Sequence, residues 1–206
     1  MQALHARGVN SGTAGNVAVR CGTDQMLVTP SGVAVEALTP ESVVQVGHDG
    51  IPVAASLRPS SEWRMHSVIL LNRPEFHAVV HTHSCYATAL ACQCEDIPAF
   101  HYMVAVAGGA SIRCAPYATF GTPELAEFAL RALEGRKACL LGHHGVLACG
   151  ADLAQAVELA EVVESLCQQY WCVRQLGQPK ILTSVQMQEV LEKFGNYGNC
   201  AQSQSN

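Results

Sequence analysis

Positive charge is scarce in this chain. It carries 12 Lys and Arg against 17 Asp and Glu in 206 residues, a net charge of −5. Only three of the cations are lysines, Lys137, Lys180 and Lys193. A surface so poor in cations offers no electrostatic reason to expect nucleic acid as a partner. Charged residues of both signs make up 14% of the chain and hydrophobic residues 49%, a balance that excludes a disordered chain. No apolar run reaches 18 residues, so neither a spanning helix nor a membrane partner is expected. The opening "MQALHARGVN" has no apolar signal core, and a cytoplasmic location is the expectation. Linkers, low-complexity runs and repeats are also missing. One domain over residues 1–206 is expected, with a flexible polar tail at 199–206.

Cysteine is the abundant exception, with ten. Most lie in apolar segments, such as Cys139 in "KACLL" and Cys167 and Cys172 in "ESLCQQYWCV". In a reducing compartment they read as small buried hydrophobes. Cys92 and Cys94 form C-x-C rather than the C-x-x-C of common zinc sites.

Apolar patterning predicts strands at 17–20, 26–29, 43–46, 77–83, 101–106, 138–141 and 145–148. Helices are expected at 61–72, 85–93, 122–134, 152–176 and 184–194. Local signals support their ends. Ser60 and Ser61 can cap a helix starting near Glu62, and Thr122 before Pro123 is a cap followed by the favoured first-turn proline. Thr183 with Gln186 reads as a capping box, and Gly177 can close the long helix. That helix carries a stripe of Leu153, Ala156, Val157, Leu159, Ala160, Val163 and Leu166. Strands and helices in irregular order predict an α/β fold, with a central mixed or antiparallel sheet covered by helices.

The polar chemistry sits in four clusters: "GVNSGTAGN" (8–16), "TPSG" (29–32), "PSSEWRMH" (59–66) and "GHHG" (142–145). A fifth feature lies inside an apolar strand, "AVVHTHSCYATALA". Its His81 and His83 point to the same strand face, roughly 6.6 Å apart along the chain. One of His143 or His144, in a turn between two apolar strands, adds a third imidazole. Three neutral imidazoles with a carboxylate or water form a zinc set. Glu62 and His66 share a helix face one turn apart, and either can reach such a metal. Gly12, Thr13, Gly15 and Asn16, with Ser31 and Gly32, offer exposed amides and hydroxyls. Ser60 and Ser61 stand where a helix begins, and free N–H groups there favour an anion. Together these suit a phosphate cradle without lysine or arginine. "GTAGN" lacks the G-K-[ST] ending of a Walker loop.

These motifs resemble the class II aldolase/adducin family. The segments that carry the resemblance are "GVNSGTAGNVAVR", "MLVTPSGVAVEALTPE", "PSSEWRMH", "AVVHTHSCYATALA", "IPAFHYMVAVAGG", "CAPYATFGTPELA", "LLGHHGVLACG" and "VLEKFGNYG". They span almost the whole chain, from near residue 4 to near residue 198. The resemblance implies one Zn²⁺ per subunit on Glu62, His81, His83 and His144. It implies that His143 lies behind the ligands and that His66 is not a ligand. It puts phosphate on Asn16, Ser31, Gly32, Ser60 and Ser61, with Gly12 and Thr13 in the same loop. It makes Glu62 a catalytic carboxylate, and Tyr102 and Tyr197 catalytic groups that reach a neighbouring subunit's site in a homotetramer. Phe120 and Phe194 match aromatics near the aldehyde end. Only "MQALHAR" precedes the first motif, where the resemblance implies a longer N-terminal helix, so either the helix is shortened or the start codon is placed late.

The activity the resemblance implies is reversible cleavage of L-fuculose 1-phosphate to dihydroxyacetone phosphate and L-lactaldehyde. Other phosphosugar reactions of the family compete with it: pentulose-phosphate 4-epimerisation, dehydration and decarboxylation. So does a metal-free adducin-like scaffold. Glu62, where the epimerase pattern has Asp, together with "PYATFGT" favours the aldolase. The three lysines lie outside every cluster, which disfavours a Schiff base and favours a metal.

Overall fold

The computed structural model describes residues 1–54 and 57–197. Seven strands form one open mixed sheet: β1 (Asn16–Cys21), β2 (Gln25–Val28), β3 (Val44–Gly47), β4 (Ala78–Thr82), β5 (Arg113–Ala115), β6 (Ala138–Leu141) and β7 (Gly145–Gly150). Their order is β3-β2-β1-β4-β7-β6-β5. Every pairing is antiparallel except β5 with β6.

Among the described residues six α-helices accompany the sheet: α1 (Gln2–Ala6), α2 (Trp63–Asn72), α3 (Cys85–Ala91), α4 (Pro123–Ala132), α5 (Leu153–Gln175) and α6 (Ser184–Tyr197). α3 and α5 pack on one sheet face and α2 and α4 on the other, so two apolar layers flank the sheet. β4 is the central strand and all five of its residues are buried. Val80 faces the α5 layer and Val79 the α2 layer. Burial of one such side chain contributes about 1.5–3 kcal/mol. Covering on both faces is why "AVVHT" reads as a continuous apolar run rather than an alternating one.

Several end signals act as expected. The Thr122 side chain accepts from Leu125 N, and Thr183 and Gln186 bond reciprocally. Gly177, at φ +127°, follows the last turn of α5. The helix before the first motif, α1, has five residues.

Other expectations are corrected. Residues 101–106 are not a strand; Tyr102–Ala107 is a 3₁₀ segment. The His101 ring accepts from Met103 N and starts the turn, and Gly108, at φ +96°, ends it. β5 has no strong apolar signature, because two of its three residues are only half-buried. The cap of α2 is Glu62, and Ser60 Oγ accepts the Glu62 amide one step earlier, at 3.3 Å. Among the described cysteines only Cys139, Cys149 and Cys167 are buried, whereas Cys85, Cys92, Cys94 and Cys172 are exposed. Leu153 is exposed at the start of the α5 stripe. The tail expected at 199–206 lies outside the described residues.

Candidate metal centre and substrate pocket

The site forms at one end of β4, on the α2 side of the sheet. Asn16 on β1 pairs directly with His81 on β4, so their side chains are cross-strand neighbours. His83 follows the strand end, two residues on. The turn between β6 and β7 supplies His144. His143 adopts φ +54° there, which lets three residues reverse the chain. The turn is tied down on both sides: Gly142 N donates to Ala115 O at 2.9 Å and His143 N to Ala91 O at 3.1 Å. Gly145 has no room for a side chain, since a Cβ would lie 2.4 Å from Thr82 O and 3.3 Å from His81 Cε1. The glycine therefore lets the His144 turn close on the strand that bears His81.

Glu62, His81, His83 and His144 converge, with one ligand atom from each lying within 4.8 Å of all the others. Glu62 Oε2 is 3.3 Å from His81 Nε2, and Glu62 Oε1 is 3.3 Å from His144 Nε2. His81 Nε2 and His83 Nε2 are 3.0 Å apart. A tetrahedral zinc with bonds of about 2.0–2.1 Å separates its ligand atoms by about 3.3–3.4 Å. His81 Nδ1 donates to Val146 O at 3.0 Å, which turns the Nε2 lone pair toward the cluster. Glu62 Oε1 is buried and makes no hydrogen bond. A buried carboxylate oxygen without a hydrogen bond, beside three converging imidazoles, suits a divalent cation.

Electrostatics favour the ligand form of Glu62, His83 and His144. Burial alone would raise the Glu62 pKa, but hydrogen bonding and charge from His81, charge from His144 and the Asn16 amide together hold it well below the usual carboxylate range. Burial, reinforced by the charge of His81, lowers the His144 pKa to about 4 and that of His83 in the same direction; the Glu62 carboxylate opposes both shifts. A carboxylate and neutral imidazoles are what a metal requires.

Beside the cluster lies a cavity of about 570 Å³. Thr13, Gly15, Asn16, Ser31, Gly32, Ser60 and Ser61 line it, and among the described residues no lysine or arginine does. Ser31 N bonds Arg58 O and Ser60 N bonds Thr29 O, so the two serine loops are zipped together. Gly15, at φ +74°, is packed so closely that a Cβ would lie 2.7 Å from His81 O. Gly12 is exposed in the same loop but outside the cavity lining. Tyr117, Ala118, Phe120 and His143 line the cavity as well.

Of the residues singled out from sequence, the structure brings the three imidazoles and Glu62 together and leaves His143 exposed on the cavity wall, in ring contact with Tyr117. His66 is buried behind the cluster rather than in it. Tyr102 is 50% exposed on a separate recess with Met103, Val190, Lys193 and Phe194, away from this cavity. Tyr197 ends α6, and its side chain lies outside the described residues. Sequence reasoning passed over Tyr117, although it stands in a quoted motif. It also passed over Asn10, whose Oδ1 accepts His83 N at 3.3 Å and whose amide holds Ala14 O. A buried asparagine between two glycines was the available signal.

The sequence profile of the class II aldolase and adducin N-terminal domain matches residues 1–171. The chain belongs to the class II aldolase and adducin family. This family member is 53% identical over 195 residues to the Rhodospirillum rubrum 5-methylthioribulose-1-phosphate/5-deoxyribulose-1-phosphate aldolase, covering 95% of this chain and 87% of that protein. It is 48% identical to the L-fuculose phosphate aldolase of Escherichia coli K12, over 93% of this chain and 88% of that one. A solved L-fuculose 1-phosphate aldolase structure superposes with a TM-score of 0.90 at 39% identity, covering 94% of this chain and 92% of the other. The family member is an enzyme of the metal-dependent aldehyde-lyase class. Among its described residues, no helix is long and apolar enough to cross a membrane.

Proposed function

We propose that the enzyme reversibly cleaves a ketose 1-phosphate between C3 and C4, giving dihydroxyacetone phosphate and an aldehyde. The observation that carries this reading is the four-ligand cluster opening onto a polar cavity without lysine. Glu62, His81, His83 and His144 would hold one Zn²⁺ per subunit. When bound, the ion supplies Lewis acidity that stabilises the negative charge left on the three-carbon ketone fragment.

The chain's own groups do the rest. Ser31, Gly32, Ser60 and Ser61, with Thr13 above them, bind the phosphate at the start of α2, where amides and the helix dipole favour an anion. This anchoring orients the scissile bond toward the cluster. Glu62 moves the proton at C3, the carbon that becomes nucleophilic. Tyr102 from an adjacent subunit takes the proton of the C4 hydroxyl, and Tyr197 closes the same site. The position of Tyr102 on another face fits a homotetramer whose sites lie between subunits. No lysine lines the cavity, which leaves no amine for a Schiff base.

Two substrate classes compete. L-Fuculose 1-phosphate, which would give L-lactaldehyde, is favoured by the motif pattern and by the E. coli relative. 5-Methylthioribulose 1-phosphate or 5-deoxyribulose 1-phosphate, which would give an aldehyde without a hydroxyl, is favoured by the 53% identical relative. The aromatic wall of Tyr117 and Phe120 also suits an apolar tail. We favour the second reading. A panel of the three ketose phosphates, assayed for dihydroxyacetone phosphate release, tests it. A higher kcat/KM for the methylthio or deoxy substrate is expected; a higher value for L-fuculose 1-phosphate restores the first reading. Release from none of them, with zinc bound, would turn attention to epimerisation, dehydration or decarboxylation. A folded chain that binds no metal would point to an adducin-like scaffold.

A further inference from the structure

His66 is fully buried one turn into α2, yet it is not in the ligand cluster. Its ring Nε2 meets Asn16 Oδ1. The other end of that amide, Asn16 Nδ2, donates to Glu62 Oε2 at 2.9 Å. The direction of this chain follows from chemistry. A carboxylate accepts only, so the amide nitrogen must face Glu62. The amide oxygen must then face His66, and His66 Nε2 must carry the proton. Burial favours the neutral ring, which can carry that proton. Asn16 has few other ways to settle. It is 5% exposed, and its strand register opposite His81 fixes where its side chain starts.

We propose that His66 is a positioning residue: through Asn16 it fixes the pose of the Glu62 carboxylate. Without the Nε2 donor, the Asn16 amide can rotate end over end. Its oxygen would then face the carboxylate oxygen and repel it. Glu62 would lose the bond that holds Oε2 and leaves Oε1 free of hydrogen bonds. The inference rests on the proposed role of Glu62 as ligand and carboxylate base. It adds that Asn16 serves the carboxylate first, because each end of its amide is already engaged.

The test compares His66→Phe, which keeps an aromatic ring but has no donor, with His66→Gln, whose amide N–H can reach the Nε2 position. Each is loaded with Co²⁺ for its visible spectrum, and zinc affinity is read by chelator competition. Steady-state kinetics with the best ketose phosphate, and inhibition by inorganic phosphate, complete the set. Loss of a group that supports a metal ligand typically costs about 10–100-fold in affinity or activity. The expected result is that His66→Phe alters the Co²⁺ spectrum and lowers zinc affinity or kcat by about that factor. Inhibition by inorganic phosphate should stay within about twofold of the parent. His66→Gln should return toward the parent in both. If His66→Phe does not fold, His66→Met carries the same comparison with less bulk. The double change with Asn16→Ala should be no worse than Asn16→Ala alone, since both act along one path.

The proposal is overturned if the donor-less variant keeps the parent's spectrum, zinc affinity and kcat. It is equally overturned if His66→Gln is as impaired as His66→Phe, because packing alone then explains the residue. A parent protein whose Co²⁺ spectrum is unchanged by Glu62→Gln would instead defeat the role assigned to Glu62. That failure is distinct and is seen before any His66 variant is made.

Discussion

The two halves of the site are built on opposite principles. In the metal half, Glu62, His81, Asn16 and His66 are buried. The Glu62, His81 and Asn16 side chains are each fixed by a hydrogen bond to a named partner. In the phosphate half, Thr13, Ser31, Gly32 and Ser61 are exposed while Ser60 is buried, and order comes from backbone bonds between the loops. The metal half is preorganised, because a buried charge without partners is costly. The phosphate half can stay open to water until an anion arrives, because hydroxyls and amides lose little by facing solvent.

The sharpest break in that comparison should come from the ligands. Glu62→Gln keeps volume but has no carboxylate, and general-base contributions are typically about 10²–10⁴-fold. Turnover should fall by that order while inhibition by inorganic phosphate persists. Turnover within twofold of the parent would remove Glu62 from the chemistry. His144→Ala should lose most of the bound zinc, whereas His143→Asn, changed on the cavity wall, should retain it. Metal analysis in the reverse order would mean the two imidazoles have exchanged roles.

A smaller effect is expected from the open half. Ser60→Ala with Ser61→Ala should raise KM by about ten- to a hundredfold, with metal content unchanged, because one hydrogen bond to a charged group contributes about 1.5–3 kcal/mol. Unaltered KM would place the phosphate elsewhere.

The smallest effect concerns pH in metal-free protein. His144 and His66 have pKa values lowered to about 4 and about 3, mainly by burial, and His83 shifts the same way. Between about pH 6.5 and pH 4 the unfolded chain therefore binds protons that the native chain refuses. Stability should fall as pH drops through that window. Below the ordinary carboxylate pKa, the lowered pKa of Glu62 adds a loss in the same direction. Thermal melts after chelation that are flat from pH 6.5 to 4.5 would contradict this.

Much of this was legible in the chain itself. The ligands announced themselves because polar residues inside apolar runs are conspicuous. His81 and His83 interrupt a buried strand, and "GHHG" interrupts two apolar segments. Helices α4 and α6 were marked by caps that act within four residues, so their signal is local. The segment at 101–106 was misread for a related reason. Its apolar run is compatible with a strand, and the bond from Met103 N to the His101 ring that starts the 3₁₀ segment leaves no periodic mark in the sequence.

Sequence by itself determined the residue types of the centre, the family and most element positions, because hydrophobic period and capping are short-range properties. Spacing left the choice between His143 and His144 open; the resemblance pointed to His144, and the tertiary structure shows why that imidazole joins the cluster. That depends on the left-handed backbone of His143 and on the absence of a Cβ at Gly145. Only the tertiary structure joined His66 to Glu62 through Asn16, a residue 46 positions away from Glu62 along the chain. The link runs from β1 to the start of α2, and the place of Asn16 on β1 is set by its register opposite His81, which the packing of the whole sheet fixes rather than any segment within it.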